Sequence, residues 1–267
     1  MIVLVTGGSR GIGAATVRRL SGEGHRVWSA SRSGSVAEDL PSVTAVSADV
    51  NDPEALSRLV ERIVSQDGGL DAVVVNAGNG ICGALEEMSP GEVQYQFQTC
   101  YQGALNTINA CVPVFRKQGH GRIIAITSFA ALVPLAYQGA YCAAKAALQM
   151  SMEAYTIELA PFGIQCCCIL PGDIATDFTS ARKTALRAGA ADSPYRERFQ
   201  RSRARFEKSE RGGMSPARIA SAVSRQLRRS KMKLRVVPGL FYGTAAFVVS
   251  FMPRSLVLRV MSRMYKR

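Results

Sequence analysis

The chain opens on a short apolar run followed by a glycine turn, and that succession restricts the fold more than anything after it. Met1-Ile2-Val3-Leu4-Val5 is apolar and β-branched, the pattern of a buried strand. Thr6-Gly7-Gly8-Ser9-Arg10-Gly11-Ile12-Gly13 comes next, and Ala14 to Leu20 reads as a helix. A glycine turn between a strand and a helix start lets backbone approach a diphosphate, whose charge the free N–H groups and the helix dipole favour. Gly7, Gly11 and Gly13 follow the spacing G-x-x-x-G-x-G. An ordinary glycine turn is the bland alternative, and the order of the elements argues against it.

The second strand, Arg26 to Ala30, ends in Ser31-Arg32. A carboxylate at this point would take the ribose hydroxyls of NAD(H). Instead Ser31 is small and neutral, Arg32 follows, and Arg10 sits in the glycine turn. Two cations without a carboxylate suit a 2′-phosphate, so the expected cofactor is NADP(H).

Further on, Tyr141 and Lys145 are four residues apart in the Ala-rich stretch Ala140-Tyr141-Cys142-Ala143-Ala144-Lys145. Helical spacing stacks the two on one face. A phenol beside an ammonium can give a proton to a carbonyl oxygen, and the Lys charge should lower the Tyr pKa. Ser128, upstream, ends the apolar run Ile123-Ile124-Ala125-Ile126-Thr127.

Together these residues resemble the short-chain dehydrogenase/reductase family in its single-domain form, up to about residue 240. The resemblance implies roles residue by residue. Gly7, Ser9, Arg10, Gly11, Ile12 and Gly13 would form the cofactor turn, and Ser31 and Arg32 would sit at the adenosine ribose. Asp49 and Val50 would contact adenine, and Asn76-Ala77-Gly78 would floor the cofactor site. Ser128, Tyr141 and Lys145 would be catalytic, with Tyr141 and Lys145 also touching the nicotinamide ribose. Pro171-Gly172-Asp173-Ile174-Ala175-Thr176 is similar to the segment that closes over the carboxamide, so Pro171, Gly172, Ile174 and Thr176 join the site. One position departs from the pattern. Cys100 stands where the family has an Asn that holds a water in the proton relay, and a thiol replaces an amide poorly. Gln98 and Gln102 are nearby substitutes. The family also implies a homodimer or homotetramer.

With 267 residues, 47% hydrophobic, a single α/β domain with a sizeable core is expected. The alternation of strands and helices implies a Rossmann-like doubly wound parallel sheet of about seven strands with helices on both faces. The catalytic domain should run over 1–239, with a substrate lid over about 173–213, and a helical extension over 240–267. Of the seven Cys, Cys166-Cys167-Cys168 falls in the sixth strand and should fill core on both faces. No metal-ligand spacing occurs, His25 and His120 take no role, and a cytoplasmic setting without a leader is expected.

The net charge is +13, and many of the cations crowd the stretch after Asp177. Most read as a solvated, salt-laced face, and no motif supports nucleic-acid binding. After Gly239 the chain turns apolar: Leu240 to Met252 carries no charge, Pro253 breaks it, and Ser255 to Arg267 is apolar with interspersed cations. Two short helices forming a pocket wall or subunit interface, or a peripheral membrane contact, would account for it. Either way the substrate should be a lipophilic small molecule. The expected activity is hydride transfer between NADP(H) and the carbonyl or secondary alcohol of a steroid or long-chain ketone. Reduction of a 3-oxoacyl carrier-protein or coenzyme A thioester is the rival, and a non-catalytic NADP(H)-binding protein the remaining alternative.

Overall fold

The computed structural model describes residues 1–266. Among these residues nine strands form: β1 (Ile2–Thr6), β2 (Arg26–Ser31), β3 (Val43–Ser47), β4 (Ala72–Val75), β5 (Ile81–Cys82), β6 (Gly121–Ile126), β7 (Ile164–Ile169), β8 (Lys183–Thr184) and β9 (Arg235–Val236). Seven make one sheet in the order β3-β2-β1-β4-β6-β7-β9, every pairing parallel. β5 and β8 pair separately over the carboxyl end of the sheet, a small addition that no periodicity announces in two-residue strands. The helices are α1 (Gly11–Gly22), α2 (Pro53–Asp67), α3 (Pro90–Phe97), α4 (Gly103–Gln118), α5 (Gly139–Leu159), α6 (Phe178–Ala181), α7 (Arg196–Arg211), α8 (Pro216–Leu227), α9 (Leu240–Phe251) and α10 (Arg254–Lys266).

A parallel sheet must be covered on both faces, because its crossovers put helices there. One face packs Leu59 and Ile63 of α2, Ile108 and Phe115 of α4, and Leu148 and Met152 of α5 onto Leu4, Val73 and Ile123. The other packs Val17 and Leu20 of α1 and Ile219, Val223 and Leu227 of α8 onto Val3, Val5 and Ile124. The cysteine triplet divides as strand alternation requires: Cys166 and Cys168 join the first core and Cys167 the second. All seven cysteines are buried and unpaired.

Local chemistry fixes the ends of the elements. Asp52 caps α2 by accepting from the Ala55 N–H at 2.9 Å, with Pro53 in the first turn and Gly68 at φ +83° past the end. Ser89 and Glu92 close a capping box at the start of α3. Between α3 and α4 the helix widens into a π turn over Gln98–Gln102, with Cys100 on its buried side. The strand order reverses between β1 and β4, which opens a crevice at their carboxyl ends. Into that crevice project the glycine turn, the end of β6 and the start of α5.

Candidate active site

The glycine turn is held by close backbone approach. Gly7 lies at φ +67°, and a Cβ there would stand 2.9 Å from the Ala77 Cα. At Gly13 a Cβ would stand 2.0 Å from the Gly7 carbonyl oxygen. Asn76 ties the turn down: its Nδ2 donates to the Thr6 oxygen at 3.0 Å and the Gly7 oxygen at 3.1 Å. Its amide side chain is thus committed to shaping the turn, while the residue still lines the cavity. The result is a cradle of backbone at a helix start, which fits a dinucleotide diphosphate.

At the far end of the cradle Arg10 and Arg32 are both exposed, line the cavity and, among the described residues, join no ion pair. Sequence reasoning named Ser31 beside them but missed Ser33 and Ser35. Ser31, Ser33 and Ser35 form a hydroxyl ladder, Oγ to Oγ at 3.2 and 2.7 Å, with Ser33 and Ser35 also lining the cavity. Three hydroxyls and two guanidinium groups with no carboxylate among them suit a phosphate. Asp49 accepts from the Asn51 N–H at 2.9 Å and keeps its other oxygen for a ligand, next to Val50.

The catalytic candidates lie together where β6 ends and α5 begins. Tyr141 and Lys145 share one face of α5, the Lys145 Nζ lying 6.0 Å from the Tyr141 ring centroid. Lys145 is 5% exposed, and its ammonium donates to the Ile126 carbonyl at 2.9 Å, where β6 ends. Ser128 caps the short turn Phe129–Ala131, its Oγ accepting from the Ala130 N–H at 3.1 Å. That bond leaves the Ser128 proton free to donate. The phenol pKa departs from the sequence expectation. Burial pushes Tyr141 above its ordinary value and the Cys100 thiol adds to this, whereas the Ser128 hydroxyl and Arg182 oppose it. Burial lowers Lys145 instead. Burial thus outweighs the groups that pull the phenol down.

Cys100 lies next to Gly78, close to Lys145. A Cβ on Gly78 would lie 3.6 Å from its Sγ and 3.8 Å from the Lys145 Nζ. Neither Gln98 nor Gln102 replaces the amide: Gln102 donates to Asn106 at 3.1 Å, and Gln98 is exposed at the cavity rim. The polar partners come from Gln96 and Asn79. The Gln96 Nε2 donates to the Asn79 carbonyl and to the Cys100 Sγ, both at 3.1 Å, and the thiol lies 3.2 Å from the same Asn79 carbonyl. No spacing rule marks Gln96, since the π turn shifts the helix register just beyond it.

The segment Pro171-Gly172 passes under α9. A Cβ on Gly172 would stand 2.2 Å from the Tyr242 ring, and the Tyr242 hydroxyl donates to Asp173 at 2.8 Å. Ile174 bridges to Met214, and Thr176 lies over Gly11. The segment after Thr176 also holds Arg182, only 3% exposed at its side chain, between the Phe178 and Phe206 rings and paired with Glu210. Phe178 packs on the Tyr141 ring at 5.8 Å between centroids. All of this lines one cavity of ≈ 1650 Å³. Ordinary ligand pockets hold about 300–1,000 Å³, so there is space for a dinucleotide and a second molecule. Tyr242 and Val249 of α9, Met252 just after it, and Val257 and Met261 of α10 form its far, apolar wall.

The comparisons agree with this geometry. A family model described as short chain dehydrogenase matches residues 1–187. The chain is 36% identical to a 3-ketodihydrosphingosine reductase of Bacteroides thetaiotaomicron, over 89% of this chain and 87% of the relative. It is 33% identical to the 3-oxoacyl-[acyl-carrier-protein] reductase MabA of Mycobacterium avium, over 71% and 73% of the two chains. A solved short-chain dehydrogenase from Streptomyces avermitilis superposes with a TM-score of 0.83 at 26% identity, covering 99% of this chain and 97% of the other. The chain belongs to the short-chain dehydrogenase/reductase family. It is an oxidoreductase acting on alcohol or ketone groups.

Proposed function

We propose that the protein interconverts a ketone and a secondary alcohol on a long, lipophilic substrate with NADP(H). The observation that carries the reading is the cavity, which runs on from Tyr141 into an apolar space walled by α9 and α10. A long-chain ketone of the kind named for the 36%-identical relative fits such a space. The Arg10, Arg32 and serine cluster supports NADP(H) over NAD(H).

The cofactor, when bound, supplies or accepts the hydride. Gly7, Gly11 and Gly13 would admit its diphosphate, and Pro171, Gly172, Ile174 and Thr176 would face its nicotinamide end. The remaining work falls to side chains of this chain. Tyr141 would hold a proton for the substrate oxygen and deliver it as negative charge develops there. Ser128 would donate its free proton to the same oxygen. Lys145, anchored on Ile126, would place its ammonium beneath the Tyr141 ring and against the ribose. Phe178 packs against the other side of Tyr141 and helps to keep water away.

The test is NADPH oxidation followed across long-chain ketones, steroid ketones and 3-oxoacyl thioesters, with NADH in parallel. Turnover of a long-chain or steroid ketone with NADPH is expected, and Tyr141→Phe should lower kcat by about 10²–10⁴-fold. Survival of turnover in that variant would sink the catalytic assignment. A second reading, 3-oxoacyl thioester reduction, is favoured by the exposed Arg198, Arg201 and Arg205 of α7, which suit an anionic carrier. It calls for thioester turnover that falls steeply with salt.

A further inference from the structure

Among the described residues, the outer face of the α9–α10 hairpin has no partner. On α9, Leu240, Phe247, Val248 and Phe251 repeat at helical spacing along one stripe, with Phe247 68% and Phe251 75% exposed. On α10, Leu256, Val260 and Met264 continue it, and all three are exposed. Arg259 and Arg263 stand beside this stripe, exposed and, among the described residues, in no ion pair. Neighbouring α7 reaches α10 through an Arg205 bond to the Met264 carbonyl, and it presents Arg201 and Lys208 to solvent. No Asp or Glu follows Glu210 in the chain, so the hairpin is an apolar strip with a cationic rim and no carboxylate side chain.

We propose that this face docks the protein peripherally on an anionic phospholipid leaflet, with the hairpin lying in the headgroup region. The charge decides between a membrane and a second copy of the chain. A two-fold interface sets a surface against itself, so it would bring two sets of Arg259 and Arg263 together with no acidic group on the face to balance them. An anionic leaflet supplies the missing charge, and its acyl boundary takes the aromatic stripe. Among the described residues no helix is long and apolar enough to cross a bilayer, so the contact stays at the surface. The cavity opens on the same face, since Phe241, Val260 and Met264 are exposed and also line it. Docking therefore sets the mouth of the pocket against the bilayer, and a lipophilic substrate enters without passing through water. This last step rests on the substrate reading above; the docking does not.

Flotation with liposomes, without cofactor or substrate, tests it. Vesicles of phosphatidylcholine alone are compared with phosphatidylcholine containing phosphatidylglycerol. The wild-type protein should float with the anionic vesicles and stay down with the neutral ones, and high salt should release it. Arg259→Gln and Arg263→Gln should each weaken binding about fivefold. The double change F247E/F251E should abolish it while NADPH binding and the melting temperature are kept. Wild-type protein that floats with neither vesicle overturns the proposal, as does F247E/F251E floating like the wild type. A halved native mass for F247E/F251E, with no flotation of the wild type, assigns the face to a second copy and also overturns it. If F247E/F251E fails to fold, the two Arg variants carry the test. Protein that floats yet turns over no lipophilic ketone keeps the docking and loses the substrate reading.

Discussion

Tyr141 and its surroundings set the pH behaviour of the reaction. Burial raises the phenol pKa above 10, so the proton donor stays loaded through neutral and mildly alkaline conditions. For ketone reduction, kcat/KM should be flat from about pH 6 to 9. Alcohol oxidation needs the phenolate, so its kcat/KM should climb about tenfold per pH unit over the same range. A bell centred near neutrality in the reductive direction would contradict this. At the other end of the cradle, Arg32→Ala with Arg10→Ala should raise the KM for NADPH by about 10–100-fold, as loss of charge-assisted bonds implies, and leave that for NADH nearly unchanged. Equal losses with both cofactors would show that the two guanidinium groups do not read a phosphate. The candidate catalytic residues were legible because their proposed chemistry forces their spacing: a phenol and an ammonium one helical turn apart, after a strand followed by serine. The direction of the Tyr141 shift was not, because desolvation depends on what Phe178 and the lid place over the ring. Gln96 and Asn79 were equally hidden, being brought to Cys100 by a π turn that leaves no mark in periodicity.

The helices and strands announced themselves with different clarity. β1, β6 and β7 are continuous apolar runs bounded by glycine or polar turns, and each forms within a residue or two of its expected span. β5 and β8 pair only because the lid folds back across the sheet, which is a tertiary event. The contact between α1 and α8 adds a polar tie to their shared apolar core. Glu23, at the end of α1, accepts the Ser224 hydroxyl at 2.7 and 2.9 Å, bonds Arg19 at 2.5 Å and lies 3.8 Å from Arg228. Burial raises its pKa, but these partners outweigh it, and the net value is lowered. A carboxylate depressed in the folded state adds stability above its unfolded pKa and loses it as pH falls through the folded one. Glu23→Gln should therefore cost about 2 kcal/mol at neutral pH and make acid unfolding less steep, as read by denaturant titration at pH 7 and pH 4. An unchanged midpoint at pH 7 would mean that the group is solvated.

At the scale of the whole molecule, α5 leaves a second unpartnered strip. Ala143, Ala146, Met150, Ala154 and Ile157 are exposed along one side of that helix, away from the catalytic face. We propose a homo-oligomer formed through this strip, separate from the α9–α10 face. The double variant M150E/I157E should lower the native mass measured by light scattering while leaving liposome flotation intact, and an unchanged mass would remove α5 from the interface. The domain scale was the most legible of all, since the alternation of strand and helix from residue 1 onward admits few architectures. What the C-terminal helices do was not legible, because an apolar run reads alike as core, interface or pocket wall until the rest of the chain is in place.

The close approach of Tyr242 to Gly172 has a consequence for inheritance and engineering. Every group proposed to handle hydride, proton or cofactor lies before residue 187, within the stretch shared with the wider family. The helices that shape the far end of the pocket lie beyond it and meet the catalytic body at a seam where a glycine admits an aromatic ring. On the proposed reading, the reacting groups and the far wall of the pocket lie in separate lengths of chain. A graft of a relative's tail that keeps an aromatic at 242 would transplant preference while the reaction stays the same, and lineages could have traded tails in that manner.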